Sequence, residues 1–206
     1  YNPADPTPAE ILAGYDNNDD FEYIEIKNIS ATETLPLAGL RLSNGIDFAF
    51  GSDLLTPGQY AVIVSNQAAF QYRYSSFSGT ILGEYGTGIV DGTQLSNTGE
   101  RIELNSPIGG IIHNFSYKDG WYNHTDGDGF SLTIRDQLGT SGLWDMKDGW
   151  RASAAPDRPA RPFVIWALFC PTSMPGGRWT RAWVPAARPS ATIRNIFSAS
   201  SGTAPS

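Results

Sequence analysis

The stretch that most constrains this chain is DFEYIEIKN, residues 20 to 28. Side chains alternate faces along an extended strand, so Glu22, Ile24 and Ile26 share one side while Phe21, Tyr23, Glu25 and Lys27 share the other. The isoleucines, continued by Ile29, offer an apolar stripe, and Phe21 and Tyr23 give the opposite side aromatic area over the stems of Glu25 and Lys27. A strand covered on both faces belongs inside a sheet. Glu22 and Glu25 fall on opposite faces, so they are not expected to converge as a general acid and base must.

Short runs of the same kind follow, separated by turn residues. LAGLRLSNG at 37–45 is a strand closed by Asn44-Gly45, a two-residue hairpin signal, and IDFAF at 46–50 is its return. Pro57-Gly58 turns the chain into the β-branched run QYAVIVS at 59–65. Ser65 or Asn66 can cap a short helix over about 67–74, and Pro8 can open a helical turn over Pro8 to Ala13. Residues 75–99 are rich in Ser, Gly and Thr and predict irregular edge structure. ERIELN at 100–105, IIHNFSY at 111–117 and FSLTIRD at 130–136 complete the strands, with a polar loop, KDGWYNHTDGDG, before the last. Some eight short strands between turns predict an all-β, antiparallel sandwich rather than βαβ units.

Charge divides the chain in two. The first 151 residues hold 8 basic and 20 acidic residues, net −12, and the last 55 hold 6 basic and 1 acidic, net +5. The acidic body disfavours nucleic-acid phosphates, so no nucleic acid partner is expected. Residues 156–206 also carry three of the six tryptophans and eight of the 14 prolines. That basic Pro/Trp/Arg-rich tail reads either as a poorly ordered arm for a partner or as sequence in a shifted frame, and the second is favoured. The lone cysteine, Cys170, allows neither an intrachain disulfide nor a cysteine-based zinc site. No run is long enough to span a bilayer. The opening YNPADPTPAE has no initiator Met and suggests a segment of a larger multidomain chain.

Candidate chemistry is sparse. Asp16, Asn18 and Asp20 have the spacing of the first three ligands of an EF-hand, and oxygen donors suit calcium. Phe21 and Lys27 then occupy positions where that loop needs Gly and Glu, so a solvated acidic loop competes with the calcium reading. Trp121 and Tyr122, with Asp126 nearby, could stack on a carbohydrate ring, or Trp121 could fold over the open end of the core, as could Trp150. Asp126 and Asp128 read more simply as turn residues between glycines. His113 and His124 lack a third partner at useful spacing, and Gly139-Thr140-Ser141-Gly142 only approximates a nucleophile elbow. The chain is therefore not expected to be an enzyme. Tyr72, Tyr74 and Phe77 are a second candidate aromatic patch, and Asn28, Asn114 and Asn123 head N-x-Ser/Thr sequons.

Taken in order, YNP, FEYIEIKN, LPLAGLRLS, LTPGQYAVIV with AAFQYRY, LSNTGERIEL, GGIIHNFSY, Trp121, DGDGFSLTIRD and WRAS resemble the lamin tail domain of bacterial secreted and cell-surface proteins, over about residues 1–155. The resemblance implies an immunoglobulin-like β-sandwich whose first strand begins before Tyr1. It implies a noncatalytic structural or interaction module, extracellular or at the cell surface, with a protein or cell-surface partner. It assigns no ligand to any residue.

Overall fold

The computed structural model describes residues 1–86 and 92–154, and the backbone of 166–168. The organising strand forms as β1 (Tyr23–Asn28), and the β-branched run forms as β6 (Tyr60–Val64), its antiparallel neighbour, with Ile24 opposite Ile63. Alternation sorts their side chains as the period-two pattern requires. Ile24, Ile26, Ala61 and Ile63 enter the main core, while Val62 and Val64 face the other way with Tyr23. That second face is covered by α2 (Gln67–Arg73) through Phe70 and by Tyr74, which follows it. Tyr74 is thus buried, so the expected patch with Tyr72 and Phe77 is not a surface platform.

The opposing sheet joins β3 (Arg41–Ser43), β4 (Phe48–Ala49), β8 (Arg101–Asn105) and β9 (Ile111–Ser116) in the order β4-β3-β8-β9. Leu42, Phe48, Ile102, Leu104 and Phe115 meet the β1–β6 isoleucines in one cluster, which makes the fold an all-β sandwich. Two small pairs close its flanks: β2 (Leu35–Pro36) with β5 (Leu54–Leu55), and β10 (Leu132–Ile134) with β11 (Trp150–Ala152).

Three details differ from expectation. Within 75–99, β7 (Thr80–Glu84) is a strand with a register shift after Ile81, and it pairs parallel to β6 after the α2 crossover, so one βαβ-type step sits in an otherwise mainly antiparallel protein. The hairpin at Asn44-Gly45 is wider than two residues. Both adopt left-handed φ, 52° and 87°, yet the last pair is Leu42 with Phe48, because Ile46 is drawn into the core and bridges to Gly92. Residues Trp166–Leu168 form β12, parallel to β1 at its outer edge. The other expectations for 155–206, and the part of the 75–99 expectation that falls on 87–91, lie outside the described residues.

Asn28 shows how the end of β1 is fixed. It is only 1% exposed; its Nδ2 donates to Glu33 O at 2.7 Å and Leu55 O at 2.9 Å, and its Oδ1 accepts from Ser30 N at 2.9 Å. The Asn28 sequon is therefore closed to modification in the folded protein, and Ile29 falls beyond the strand. Asn28→Ala would leave two carbonyls and one amide without their partner and is expected to cost about 2 kcal/mol in urea denaturation. A loss below about 0.5 kcal/mol would contradict the arrangement.

Candidate functional site

Asn18 and Asp126, from two of the stretches singled out for chemistry, are brought together at one end of the sandwich, where the N-terminal segment runs between their loops. Asn17 caps a 3₁₀ turn over Asn18–Phe21, and two further 3₁₀ turns, Asp119–Trp121 and Asn123–Thr125, shape the 118–129 loop. Asn2 joins them. Its Oδ1 accepts from Asn18 Nδ2 at 2.9 Å, its Nδ2 donates to Asp126 Oδ1 at 2.6 Å, and its carbonyl accepts from Gly127 N at 3.0 Å. The Tyr1 hydroxyl adds contacts to Asp119 O at 3.3 Å and Thr125 Oγ1 at 3.0 Å. These long-range contacts leave no trace in local sequence periodicity.

The three calcium candidates go to different neighbours. Asp16 is exposed, Asn18 donates its amide to Asn2 and to Pro3 O, and Asp20 is buried against the side chain of Asn66. Asn66 in turn caps α2, with its Oδ1 accepting from Ala68 N and Ala69 N at 3.0 and 3.1 Å. Burial raises the Asp20 carboxyl above its ordinary value. Among the described residues, no three His, Cys, Asp or Glu side chains group so as to hold a metal ion.

The aromatic candidates are anchored from below. Trp150 is wholly buried and stacks near Phe115, Trp144 and Trp121, with ring centroids 5.0, 5.5 and 6.3 Å away. Trp121 is half-buried over that cluster, as expected of a lid on the core. Tyr122 donates its hydroxyl to Lys147 O and Trp150 O, each at 3.0 Å, and its ring lies under Lys147 Nζ at 5.0 Å. Gly127 and Gly129 supply φ of 92° and 79° around Asp128, which pairs with His124 at 3.1 Å on the surface.

Two buried acids were not flagged as a site. Glu22 is 0% exposed: its Oε2 accepts from Leu95 N at 2.8 Å and Tyr85 Oη at 3.2 Å, while Oε1 has no partner among the described residues. Desolvation pushes this carboxyl up to about 7. Glu22 and Glu25 both line a cavity of about 50 Å³ with Tyr1, Phe115, Tyr117 and Trp150, so they come nearer to a common space than strand alternation implied. Glu22 nevertheless keeps the face of Ile24 and Ile26, because its partners Leu95 and Tyr85 belong to the same core cluster. The second buried acid, Glu10, forms a capping box with Thr7 and a two-pronged ion pair with Arg73, 2.7 and 3.0 Å, that clamps α1 (Pro8–Leu12) to α2. Arg73 holds its carboxyl down to about 2. No protein-family model matches the chain, and no curated protein matches it either.

Proposed function

We propose that this chain is a noncatalytic structural and interaction module of the lamin-tail type, with an immunoglobulin-like sandwich, carried by a larger extracellular or cell-surface protein. The observation that supports it is the use made of the polar and aromatic loop residues. Asn2, Asn18, Tyr122 and Asp126 join loop to loop or loop to core, and Trp121 covers Trp150. Groups that a catalyst would aim at a substrate here hold backbone and neighbouring side chains in place. A second reading, a ligand-binding module with calcium at Asp16, Asn18 and Asp20 or a carbohydrate at Trp121, Tyr122 and Asp126, draws on the fact that Asn2 ties Asn18 to Asp126 at one end.

Limited proteolysis in chelator and in millimolar calcium separates the two. The structural reading expects the same fragments in both, with residues 1–154 resistant as a unit. Calcium-dependent protection of cleavage around Asp16 to Asp20 would favour the second reading. A hydrolytic activity that co-purifies with the protein and is lost in His124→Ala or Asp126→Ala would overturn both.

A further inference from the structure

Apart from the loop end, the sandwich carries a polar groove of about 650 Å³ between the β3–β4 connection and residues 92–100. That size suits a ligand of a few rings, but most small-molecule pockets are walled by apolar side chains and this one is not. Its walls include Arg41, Asn44, Asp47, Gln94, Asn97 and Glu100, and the two large apolar residues that back it, Ile46 and Leu95, are buried in the core.

The groove is built rather than incidental. Glu100 is fixed by Ser96 N at 2.8 Å and the Tyr117 hydroxyl at 3.0 Å onto Oε1. Gly45 sits against that carboxyl so closely that a Cβ there would stand 2.8 Å from Glu100 Cδ. On the other wall, Asp47 N donates to Gly92 O at 2.8 Å, and Gly92, at φ 86°, leaves 3.1 Å between an added Cβ and Asp47 Cβ. Both glycines sit at left-handed φ, 87° and 86°, which residues with a side chain rarely adopt, and each packs close against the facing side chain. Asn44, held in a left-handed conformation, makes no hydrogen bond through its side chain among the described residues.

Charge narrows the ligand. The Arg41 guanidinium is ion-paired to Asp47, and Glu100 adds a carboxylate, so an anion meets repulsion and, among the described residues, no unengaged cation. An apolar peptide anchor finds no exposed apolar wall. The side-chain amides of Asn44 and Gln94 beside the held carboxylates of Asp47 and Glu100 offer donors and acceptors of the kind that vicinal hydroxyls need. We propose that this groove binds an uncharged, hydroxyl-rich ligand, an oligosaccharide, and that Asn44 and Gln94 contribute to its recognition.

The test is an array of printed oligosaccharides, uncharged and acidic, probed with the full chain. The expected result is retention on uncharged glycans, about tenfold weaker in Asn44→Gly, a change that keeps the left-handed backbone, and in Gln94→Ala. Trp121→Ala should leave retention unchanged, because Trp121 is not among the groove walls. Asn44→Gly should melt at the wild-type temperature, and retention is compared at a temperature where both variants are folded by circular dichroism, so that its loss reports the groove and not the fold. Retention only on acidic glycans, no retention at all, or equal retention by wild type and both groove variants would overturn the proposal. Each of those outcomes leaves the structural-module reading standing.

Discussion

Trp150→Ala is expected to lower unfolding stability by about 4 to 5 kcal/mol, the upper end for loss of a buried aromatic. Two effects add. The side chain is 0% exposed, so its removal opens a cavity among Phe115, Trp144 and Trp121. Its Nε1 donates to Trp144 O at 2.7 Å, and alanine leaves that carbonyl without the indole donor. A domain of this size has on the order of 5 to 15 kcal/mol in total, so the variant should lose a large share of its stability and melt well below the wild type. Equilibrium urea unfolding with tryptophan fluorescence measures this. A loss under about 1 kcal/mol would mean that Trp150 is not the centre of the core.

The second large effect depends on pH. Burial raises Glu22 from 4.5 to about 7, so between those values the folded protein holds a proton that the unfolded chain has released. Stability from this group is greatest below about 4.5, falls as pH rises to about 7, and is then constant. The full span is about 3 kcal/mol, at 1.36 kcal/mol per pH unit. His113 acts in the opposite sense. Burial lowers it from 6.5 to about 4, so its stabilisation is complete above 6.5 and is lost as pH falls toward 4. In the wild type the two slopes largely cancel between 4.5 and 6.5. Glu22→Gln removes one of them, and the variant should gain about 3 kcal/mol over wild type at pH 8 relative to their difference at pH 4. An equal difference at both pH values would show that Glu22 titrates normally. Glu10 belongs to a lower window: its bond to Arg73 stabilises above 4.5 and is lost as pH falls through about 2.

The strands that alternate over five or more residues could be read directly. β1, β6, β8 and β9 were all legible because a half-buried or doubly covered strand repeats every second residue. The α2 cap at Asn66 was legible for the same local reason. β11 was not, since three residues show no period, and it exists because Leu132 to Ile134 pair with it. The parallel pairing of β7 depends on how α2 carries the chain back over β6, a tertiary fact. At the candidate site, the role of Trp121 as a core lid could be anticipated, but its neighbours could not. Asn2 reaches Asp126 across 124 positions, and Glu22 reaches Leu95 N across 73, with nothing local to mark either. The polar groove was invisible for a related reason. Its walls come from a hairpin connection and a loop that meet only because Ile46 bridges to Gly92.

The account rests on loop side chains that hold the sandwich together, and Tyr122→Phe tests it most directly. The substitution removes one hydroxyl and keeps the ring, so it isolates the hydrogen bonds to Lys147 O and Trp150 O. Paired urea-unfolding curves of wild type and variant should differ by about 1 to 2 kcal/mol, with calcium and oligosaccharide binding unchanged. Unchanged stability together with lost binding of either ligand would show instead that the 118–129 loop is a recognition surface.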